Sequence, residues 1–191
     1  MGKSEIIVNS WSRSGTTWLI HLLSDLLASP QQDLPNGKII GCWGPHCNGN
    51  YVIRKRHAKY HSRYRGKTVV LIHRDVCGIV VSTAFYLNIS FNEAIGMMSG
   101  YNNWLKSWLK HATVITRYED LNDYQELKRI TYQLTGLKVS TAKVRAAMRR
   151  QNFENMTRQL NDTHFMRRGM VGDWRNYLSK KQVKQLYDLL D

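Results

Sequence analysis

Short apolar runs alternate with helical patterns along most of the chain. Runs rich in Ile and Val predict strands at 5–9, 68–73 and 113–116, with a further extended piece at 51–53. Apolar residues at helical spacing predict helices at 18–27, 75–87, 91–110 and 123–135, and mostly helix from 140 onward, closing with 179–190. Strands that alternate with helices are typical of a mainly parallel sheet covered on both faces, with ligands at the carboxyl ends of the strands. The pattern predicts one α/β domain over residues 1–191.

The chain is strongly basic, with 28 Lys and Arg against 14 Asp and Glu and a formal net charge of +14. Nine of the Lys and Arg lie between Asp33 and Asp75, where no acidic residue occurs, and the densest stretch is 54–67. Such a run is typical of a solvated face, a nucleic-acid surface or the wall of a site for an anionic small molecule. No apolar run approaches the roughly 20 residues that span a bilayer. We therefore expect a cytoplasmic protein without a membrane segment.

A loop rich in hydroxyl groups joins the first strand to the first helix. It has the sequence Ser-Arg-Ser-Gly-Thr-Thr at 12–17. A tight loop in this position turns its backbone N–H groups toward an anion at the helix N-terminus, where Gly15 permits close approach and Arg13 adds charge. The spacing is not that of a Walker A motif. The loop is either an anion-binding site or an ordinary helix cap.

Four segments resemble motifs of one enzyme family, in the family's order. Trp-Ser-Arg-Ser-Gly-Thr-Thr-Trp at 11–18 resembles the 5′-phosphosulfate loop of sulfotransferases that use 3′-phosphoadenosine 5′-phosphosulfate (PAPS). Arg74, followed eight positions later by Ser82, resembles the 3′-phosphate motif. Tyr-Glu-Asp at 118–120 and Arg-Arg-Gly-Met-Val-Gly-Asp-Trp-Arg at 167–175 are similar to two further signatures. The chain is thus identified as a member of the PAPS-dependent sulfotransferases, which implies a P-loop NTPase-like, three-layer α/β fold.

The resemblance also implies a donor site for PAPS and for its product adenosine 3′,5′-bisphosphate (PAP), and no metal ion. The 5′-phosphosulfate is expected on the loop, the 3′-phosphate on two arginines, a serine and a glycine, and the adenine among aromatic rings. Phe153 is included because the stretch at 152–156 resembles the family's Ser-Phe-x-x-Met. The implied donor-site residues are Arg13, Ser14, Gly15, Thr16, Thr17, Trp18, Arg74, Ser82, Tyr118, Phe153, Arg167, Arg168 and Gly169.

Sulfuryl transfer to a hydroxyl or an amine requires a base at the acceptor proton and cations around the transferring group. The family's base is commonly a His in a Lys-x-His arrangement, which Lys-Arg-His at 55–57 matches. The resemblance therefore implies in-line displacement with His57 as general base, Arg13 as the cation on the transferring group and Lys55 as an auxiliary cation. His61 is the main alternative base, whereas His73 ends a buried strand and is interpreted as structural.

Two other functions compete with this interpretation. A zinc-binding module would use Cys42, Cys47, His57 and His61, whose spacing is close to that of a zinc finger. A basic nucleic-acid-binding protein would use the 54–67 run, with its tyrosines as stacking residues. The donor motifs account for most basic residues outside that run, so nucleic acid is not expected as a partner.

The identity of the acceptor is not contained in the donor motifs, because acceptor pockets are built from other loops. The surplus charge of the 54–67 run favours an acidic acceptor, either a small molecule or a glycan. Around 175–184 the family's dimerisation motif, Lys-x-x-x-Thr-Val-x-x-x-Glu, is not reproduced. We therefore expect a monomer or a dimer of another kind.

Overall fold

A single parallel sheet organises the protein. The computed structural model describes residues 4–28, 31–32, 50–160 and 168–191. The strands are β1 (Ser4–Ser10), β2 (Gln31–Gln32), β3 (Tyr51–Arg56), β4 (Thr68–His73) and β5 (Val114–Arg117). They follow the order β2-β3-β1-β4-β5, and every neighbouring pair is parallel. The central position of β1 places the loop that follows it between the ends of β3 and β4.

Helices connect the strands and cover both faces of the sheet. They are α1 (Thr16–Leu27), α2 (Val76–Leu87), α3 (Phe91–Gly96), α4 (Tyr101–Trp108), α5 (Tyr124–Thr135), α6 (Thr141–Arg150), α7 (Phe153–Leu160) and α8 (Lys180–Leu190). Short 3₁₀ turns lie at Ser62–Tyr64, Tyr118–Asp120 and Asp173–Asn176. Within the described ranges, no helix is both long enough and apolar enough to cross a membrane.

The alternation of side chains along the strands builds two hydrophobic layers. Ile6 and Val8 of β1 pack with α1, α5 and α6 on one face of the sheet. Ile7, between them, packs with α2, α3, α4 and α8 on the other face. Successive residues of a strand point to opposite faces, so an apolar run is the expected pattern for a sheet covered on both sides. The predicted three-layer α/β fold is confirmed.

The predicted continuous helix at 91–110 is wrong. The segment forms two helices, α3 and α4, and the chain turns between them at Gly100, whose φ is +86°. Ala94, Ile95, Met98 and Tyr101 are all buried, so the apolar spacing continues through the turn. Periodicity alone therefore does not reveal the break, whereas a glycine in the left-handed region favours one.

Candidate active site

A cavity of about 380 Å³ lies at the carboxyl ends of β1, β3 and β4. Parallel strands end at the same edge of a sheet, so the segments that follow them meet there. All of the predicted site residues except Ser14 and Arg167 line this cavity. Ser14 is buried beneath the loop, and Arg167 lies outside the described residues. The lining residues that were predicted are Arg13, Gly15, Thr16, Thr17, Trp18, Lys55, His57, Arg74, Ser82, Tyr118, Phe153, Arg168 and Gly169.

The loop after β1 has the geometry of an anion-binding helix start. Arg13 and Gly15 have φ values of +66° and +86°, which turn the backbone sharply between Ser10 and the first turn of α1. Gly15 is the N-cap, and no side chain caps the helix there. The first N–H groups of a helix have no partner within it, and the helix dipole adds positive potential at this end. The loop therefore suits a phosphate or sulfate group.

Two glycines bring the backbone against aromatic rings of the cavity wall. A Cβ atom on Gly15 would lie 2.3 Å from Cδ2 of Tyr118. A Cβ atom on Gly169 would lie 2.6 Å from Cδ2 of Phe153, at a φ of +66°. Neither position has room for a side chain, so glycine is required at both.

We expect Gly15→Ala to weaken PAP binding roughly tenfold or more, equivalent to about 1.4 kcal/mol. The added methyl group must displace the ring of Tyr118, and the left-handed backbone costs roughly 1–2 kcal/mol in any case. Calorimetric titration with PAP measures the loss of affinity, and thermal unfolding measures the loss of stability.

Gly100→Ala is the matched control, because Gly100 has the same φ of +86° with nothing within 4 Å of an added Cβ atom. It shares the backbone penalty without the contact with Tyr118. Equal losses of PAP affinity in the two variants would contradict a role for this contact.

Four cationic side chains of the described residues line the cavity. Arg13 donates from Nε to Ser82 Oγ at 3.1 Å, and its guanidinium lies over the ring of Tyr86 with Cζ 4.4 Å from the centroid. Arg74 donates from Nη1 to the Arg13 carbonyl at 3.1 Å, and its Cζ lies 4.2 Å from the centroid of Tyr118. These contacts fix the planes of both guanidinium groups, which raises the precision with which they can meet an anion.

The other two cations are Lys55 and Arg168. Lys55 donates from Nζ to Thr17 Oγ1 at 3.1 Å, so it reaches the start of α1 from β3. Arg168 pairs with the buried carboxylate of Asp173 at 3.4 Å. Among the residues that the structure describes, no Asp or Glu lines the cavity. The cavity therefore has a strongly positive potential.

His57 is oriented by Ser10. Its Nδ1 lies 3.0 Å from both the hydroxyl and the carbonyl oxygen of Ser10. A carbonyl oxygen only accepts hydrogen bonds, so this contact favours the tautomer with hydrogen on Nδ1 and the lone pair on Nε2. That tautomer leaves Nε2 available to accept a proton.

The other two histidines considered from the sequence do not line the cavity. His61 is exposed, and its Nδ1 accepts a hydrogen bond from the Arg63 backbone N–H at 3.2 Å, which begins a 3₁₀ turn. Burial, together with the charge of Arg117, lowers the pKa of His73 at the end of β4. Geometry therefore favours His57 over His61 as the base.

Aromatic and thioether side chains also line the cavity. The rings of Trp18 and Tyr118 meet edge to face at 5.9 Å, and Phe153 lies beside Gly169. Trp18 donates from Nε1 to the Gln151 carbonyl at 2.8 Å. Flat apolar walls of this kind suit a nucleobase, which binds largely through its ring faces.

A family model agrees with this geometry: the sulfotransferase domain matches residues 41–191. The chain belongs to the sulfotransferase domain family. The match confirms the family and the enzyme class expected from the four motifs. The family match begins after the loop at 12–17. The prediction that this loop binds an anion therefore rests on the sequence and geometry of the loop itself.

Solved structures of similar proteins have the same fold. Mouse sulfotransferase SULT7A1 complexed with PAP has a TM-score of 0.74 and 18% identity, covering 97% of this chain and 82% of that one. Retinol dehydratase with androsterone and inactive cofactor PAP has a TM-score of 0.73 and 18% identity, covering 100% of this chain and 80% of that one. A second retinol dehydratase structure, with retinol and PAP, has a TM-score of 0.72 and 18% identity, covering 100% and 81%. No curated protein sequence matches the chain significantly.

The zinc interpretation depends partly on residues outside the described ranges, since Cys42 and Cys47 lie there. Within those ranges, no group of three or more His, Cys, Asp or Glu could hold a metal ion. The family match instead assigns the segment that contains these residues to a sulfotransferase domain.

The two tyrosines that the nucleic-acid interpretation would use for stacking on bases are packed against other side chains. Tyr64 is buried and packs against Trp108 with ring centroids 5.1 Å apart. Tyr60 stacks on His111 at 3.7 Å and meets Trp108 edge to face. Both rings are therefore occupied by the sulfotransferase core and its surface rather than presented to bases.

Several residues of the sulfotransferase cavity were not predicted as site residues. Tyr86 could have been found, because it lies four residues after Ser82 on α2 and therefore on the same helix face. Met156 likewise lies four residues after Asn152, which also lines the cavity. The remaining ones carry no motif and reach the cavity only through the fold. The residues not predicted are Ser12, Tyr86, Asn122, Met148, Asn152, Met156 and Met170.

An ion pair fixes the junction between α6 and α7 on α1. Asp25 accepts from Arg150 Nε at 2.8 Å, from Arg150 Nη2 at 2.6 Å and from Gln151 Nε2 at 3.2 Å. Burial by itself would raise the pKa of Asp25, but the hydrogen bonds from Arg150 and Gln151 outweigh it and hold the pKa below its usual value. This junction carries the Gln151 carbonyl that orients Trp18.

We expect Asp25→Asn to lower the free energy of unfolding by about 1 kcal/mol at neutral pH, because Arg150 is more than half exposed. The folded-state pKa is the lower one, so this stabilisation is present above the ordinary Asp value near 3.9 and is lost as the pH falls through the folded-state pKa. Urea unfolding at a series of pH values measures it. Asp188→Asn, which removes an exposed ion pair with Lys184, is the control, and it should lower the free energy of unfolding by less. A pH-independent difference for Asp25→Asn would contradict the account.

Proposed function

We propose that the cavity binds PAPS and that the enzyme transfers its sulfuryl group to an acceptor hydroxyl, with an amine as the less favoured acceptor, releasing PAP. One observation carries the proposal: among the described residues, a helix N-terminus, four cations and a histidine held by Ser10 share a single cavity that no carboxylate lines. The structures of the two similar proteins, SULT7A1 and retinol dehydratase, both contain PAP. Both hydrophobic layers share the one sheet, which supports a single sulfotransferase domain over 1–191.

The residues present fit such a donor. Positive groups line the cavity from three segments: Lys55 on β3 reaches Thr17, Arg13 in the loop reaches Ser82, and Arg74 after β4 reaches the Arg13 carbonyl. The Ser14 hydroxyl is buried and has no hydrogen-bond partner among the described residues, as expected of a loop shaped to hold an anion. The 5′-phosphosulfate would be held by Arg13, Ser14, Gly15, Thr16 and Thr17, the 3′-phosphate by Arg74, Ser82, Arg167, Arg168 and Gly169, and the adenine by Trp18, Tyr118 and Phe153.

The chemistry assigns a separate role to each group near the loop. When bound, PAPS supplies the sulfuryl group, whose S–O bond to the 5′-phosphate breaks as the acceptor oxygen bonds to sulfur. His57 Nε2 accepts the acceptor proton, and its Nδ1–H, held on the Ser10 carbonyl, stabilises the imidazolium that results. Arg13 and Lys55 neutralise the negative charge that develops at this end of the cavity. No metal ion is required by these roles.

The basic run supports an acidic acceptor. Arg54 and Lys67 form ion pairs with Glu5 at 2.5 and 3.5 Å, so their charges are partly neutralised within the protein. Lys59 and Arg65, in contrast, are exposed on the segment that continues from His57. A small molecule or glycan with carboxylate or sulfate groups would be attracted to this surface. A cytoplasmic location, and a monomer or a dimer unlike the family's, remain predictions from the sequence.

The proposal is tested by incubating the purified enzyme with sulfur-labelled PAPS and matched acceptor pairs. A uronic-acid oligosaccharide and its carboxyl methyl ester present the same hydroxyl groups with and without negative charge. We expect label on the acceptor and PAP in equal amounts, with the acidic form preferred and the preference falling as salt is added. Equal or better use of the methyl ester would contradict the acidic acceptor.

A further inference from the structure

The backbone that follows His57 is fixed by a group of hydrogen bonds on a single peptide. The Ala58 carbonyl accepts from Asn9 Nδ2 at 3.1 Å, from Trp104 Nε1 at 2.9 Å and from Trp108 Nε1 at 2.7 Å. The Ala58 N–H donates to Asn9 Oδ1 at 3.1 Å. These three side chains, called here the Ala58 cluster, come from β1 and α4. They meet one residue after the proposed base.

The members of the Ala58 cluster are buried. Asn9 and Trp108 are 0% exposed and Trp104 is 4% exposed. An indole has one donor and no acceptor, and a buried donor without a partner is costly. A carbonyl oxygen has two lone pairs, so three donors saturate it. The position of the Ala58 peptide is therefore strongly determined by the core.

Further contacts hold the segment along α4. The Tyr60 N–H donates to Ser107 Oγ at 3.2 Å, and Ser107 Oγ donates to the Trp104 carbonyl at 2.6 Å. The Tyr60 ring meets Trp108 edge to face at 5.3 Å. Residues 58–60 are thus attached to a helix although they form no regular structure themselves.

The other side of His57 is held by the residue next to Asn9. Ser10 contacts Nδ1 of His57 through its hydroxyl and its carbonyl, both at 3.0 Å. Two consecutive residues of β1 therefore fix His57, Asn9 through the following peptide and Ser10 through the ring. With both attachments in place, the direction of Nε2 is set by a strand and a helix rather than by a loop. Sites supported by rigid elements hold their geometry more precisely.

We propose that Asn9, Trp104 and Trp108 are positioning residues that hold His57 in the orientation and tautomer needed for proton transfer. The inference rests on the proposed function of His57. Apolar packing alone requires no N–H donor, so it does not explain why two indole N–H groups converge on one carbonyl. Their shared acceptor lies directly beside the base.

The test is Trp104→Phe, which keeps an aromatic ring and removes the hydrogen bond. We expect kcat to fall about 10- to 100-fold, since small misplacement of a catalytic group has effects of this size, while PAP affinity stays unchanged. Nitrogen NMR of the His57 ring should show the Nδ1–H tautomer in the wild type and a mixture in the variant. Trp174→Phe is the control, because it removes an indole hydrogen bond to Asp75, 2.6 Å long, away from the Ala58 cluster. It should leave the tautomer unchanged.

A double variant separates positioning from general damage. In a His57→Ala background, Trp104→Phe should not lower the residual rate further, because its effect acts through His57. An equal loss in both backgrounds would overturn the proposal, as would a folded Trp104→Phe enzyme with wild-type kcat and tautomer. If Trp104→Phe does not fold, Trp108→Phe replaces it, because it removes the other indole hydrogen bond to the Ala58 carbonyl, and wild-type kcat and tautomer in that variant overturn the proposal. Failure of the proposed function itself would appear differently, as normal turnover in His57→Ala alone.

Discussion

His57→Ala is expected to lower kcat for sulfuryl transfer by about 100- to 10,000-fold, the range typical for removal of a general base. The variant loses the Nε2 lone pair that we propose accepts the acceptor proton. It retains the loop after β1 and the arginines, so PAP affinity should remain close to that of the wild type. Initial rates with labelled PAPS and calorimetric titration with PAP measure the two quantities on the same preparation.

His61→Ala is the matched control for this experiment. It removes a histidine four residues away that caps a 3₁₀ turn and does not line the cavity. We expect nearly normal kcat from it. Normal turnover in His57→Ala together with a large loss in His61→Ala would show that His61 is the base.

Arg74→Met should weaken PAP binding by about 10- to 100-fold, because a charge-assisted hydrogen bond to a phosphate contributes about 1.5–3 kcal/mol. Arg74 is held over Tyr118 and against Gly78, where a Cβ atom would lie 2.9 Å from its Nε. Adenosine 5′-monophosphate lacks the 3′-phosphate, so its affinity should change little. Titration of both nucleotides into the same variant therefore localises the effect to the 3′-phosphate.

Arg54→Met is the control for charge. Arg54 pairs with Glu5 and does not line the cavity, yet Arg54→Met removes one positive charge, as Arg74→Met does. Its PAP affinity should stay near the wild-type value. Comparable losses in Arg54→Met and Arg74→Met would indicate a diffuse electrostatic effect. Equal losses for PAP and adenosine 5′-monophosphate in Arg74→Met would place Arg74 elsewhere on the nucleotide.

Much of the fold and the donor site could be predicted because the signal is local. A strand, a glycine-containing loop and a helix are contiguous at the start of the chain, and this unit alone places Arg13 and Gly15. The alternation of strands and helices then fixes which strand ends meet. Arg74 and His57 reach the cavity because each follows a parallel strand, β4 and β3 respectively.

The parts that could not be predicted depend on contacts between distant segments. The turn at Gly100 was hidden because apolar spacing continues from α3 into α4. The convergence of Asn9 and Trp104 on Ala58 joins residues 49 and 46 positions apart, respectively, from that alanine. Met148 reaches the cavity only through the packing of α6 on α1. No local pattern marks such contacts.

Titration of the wild-type enzyme with PAP is the most direct test of the central claim, because it does not depend on knowing the acceptor. We expect saturable binding of one PAP per chain, tighter than that of adenosine 5′-monophosphate, and displacement of PAP by PAPS. Such a result would locate the donor on this chain. Absence of saturable PAP binding by folded protein would contradict the account.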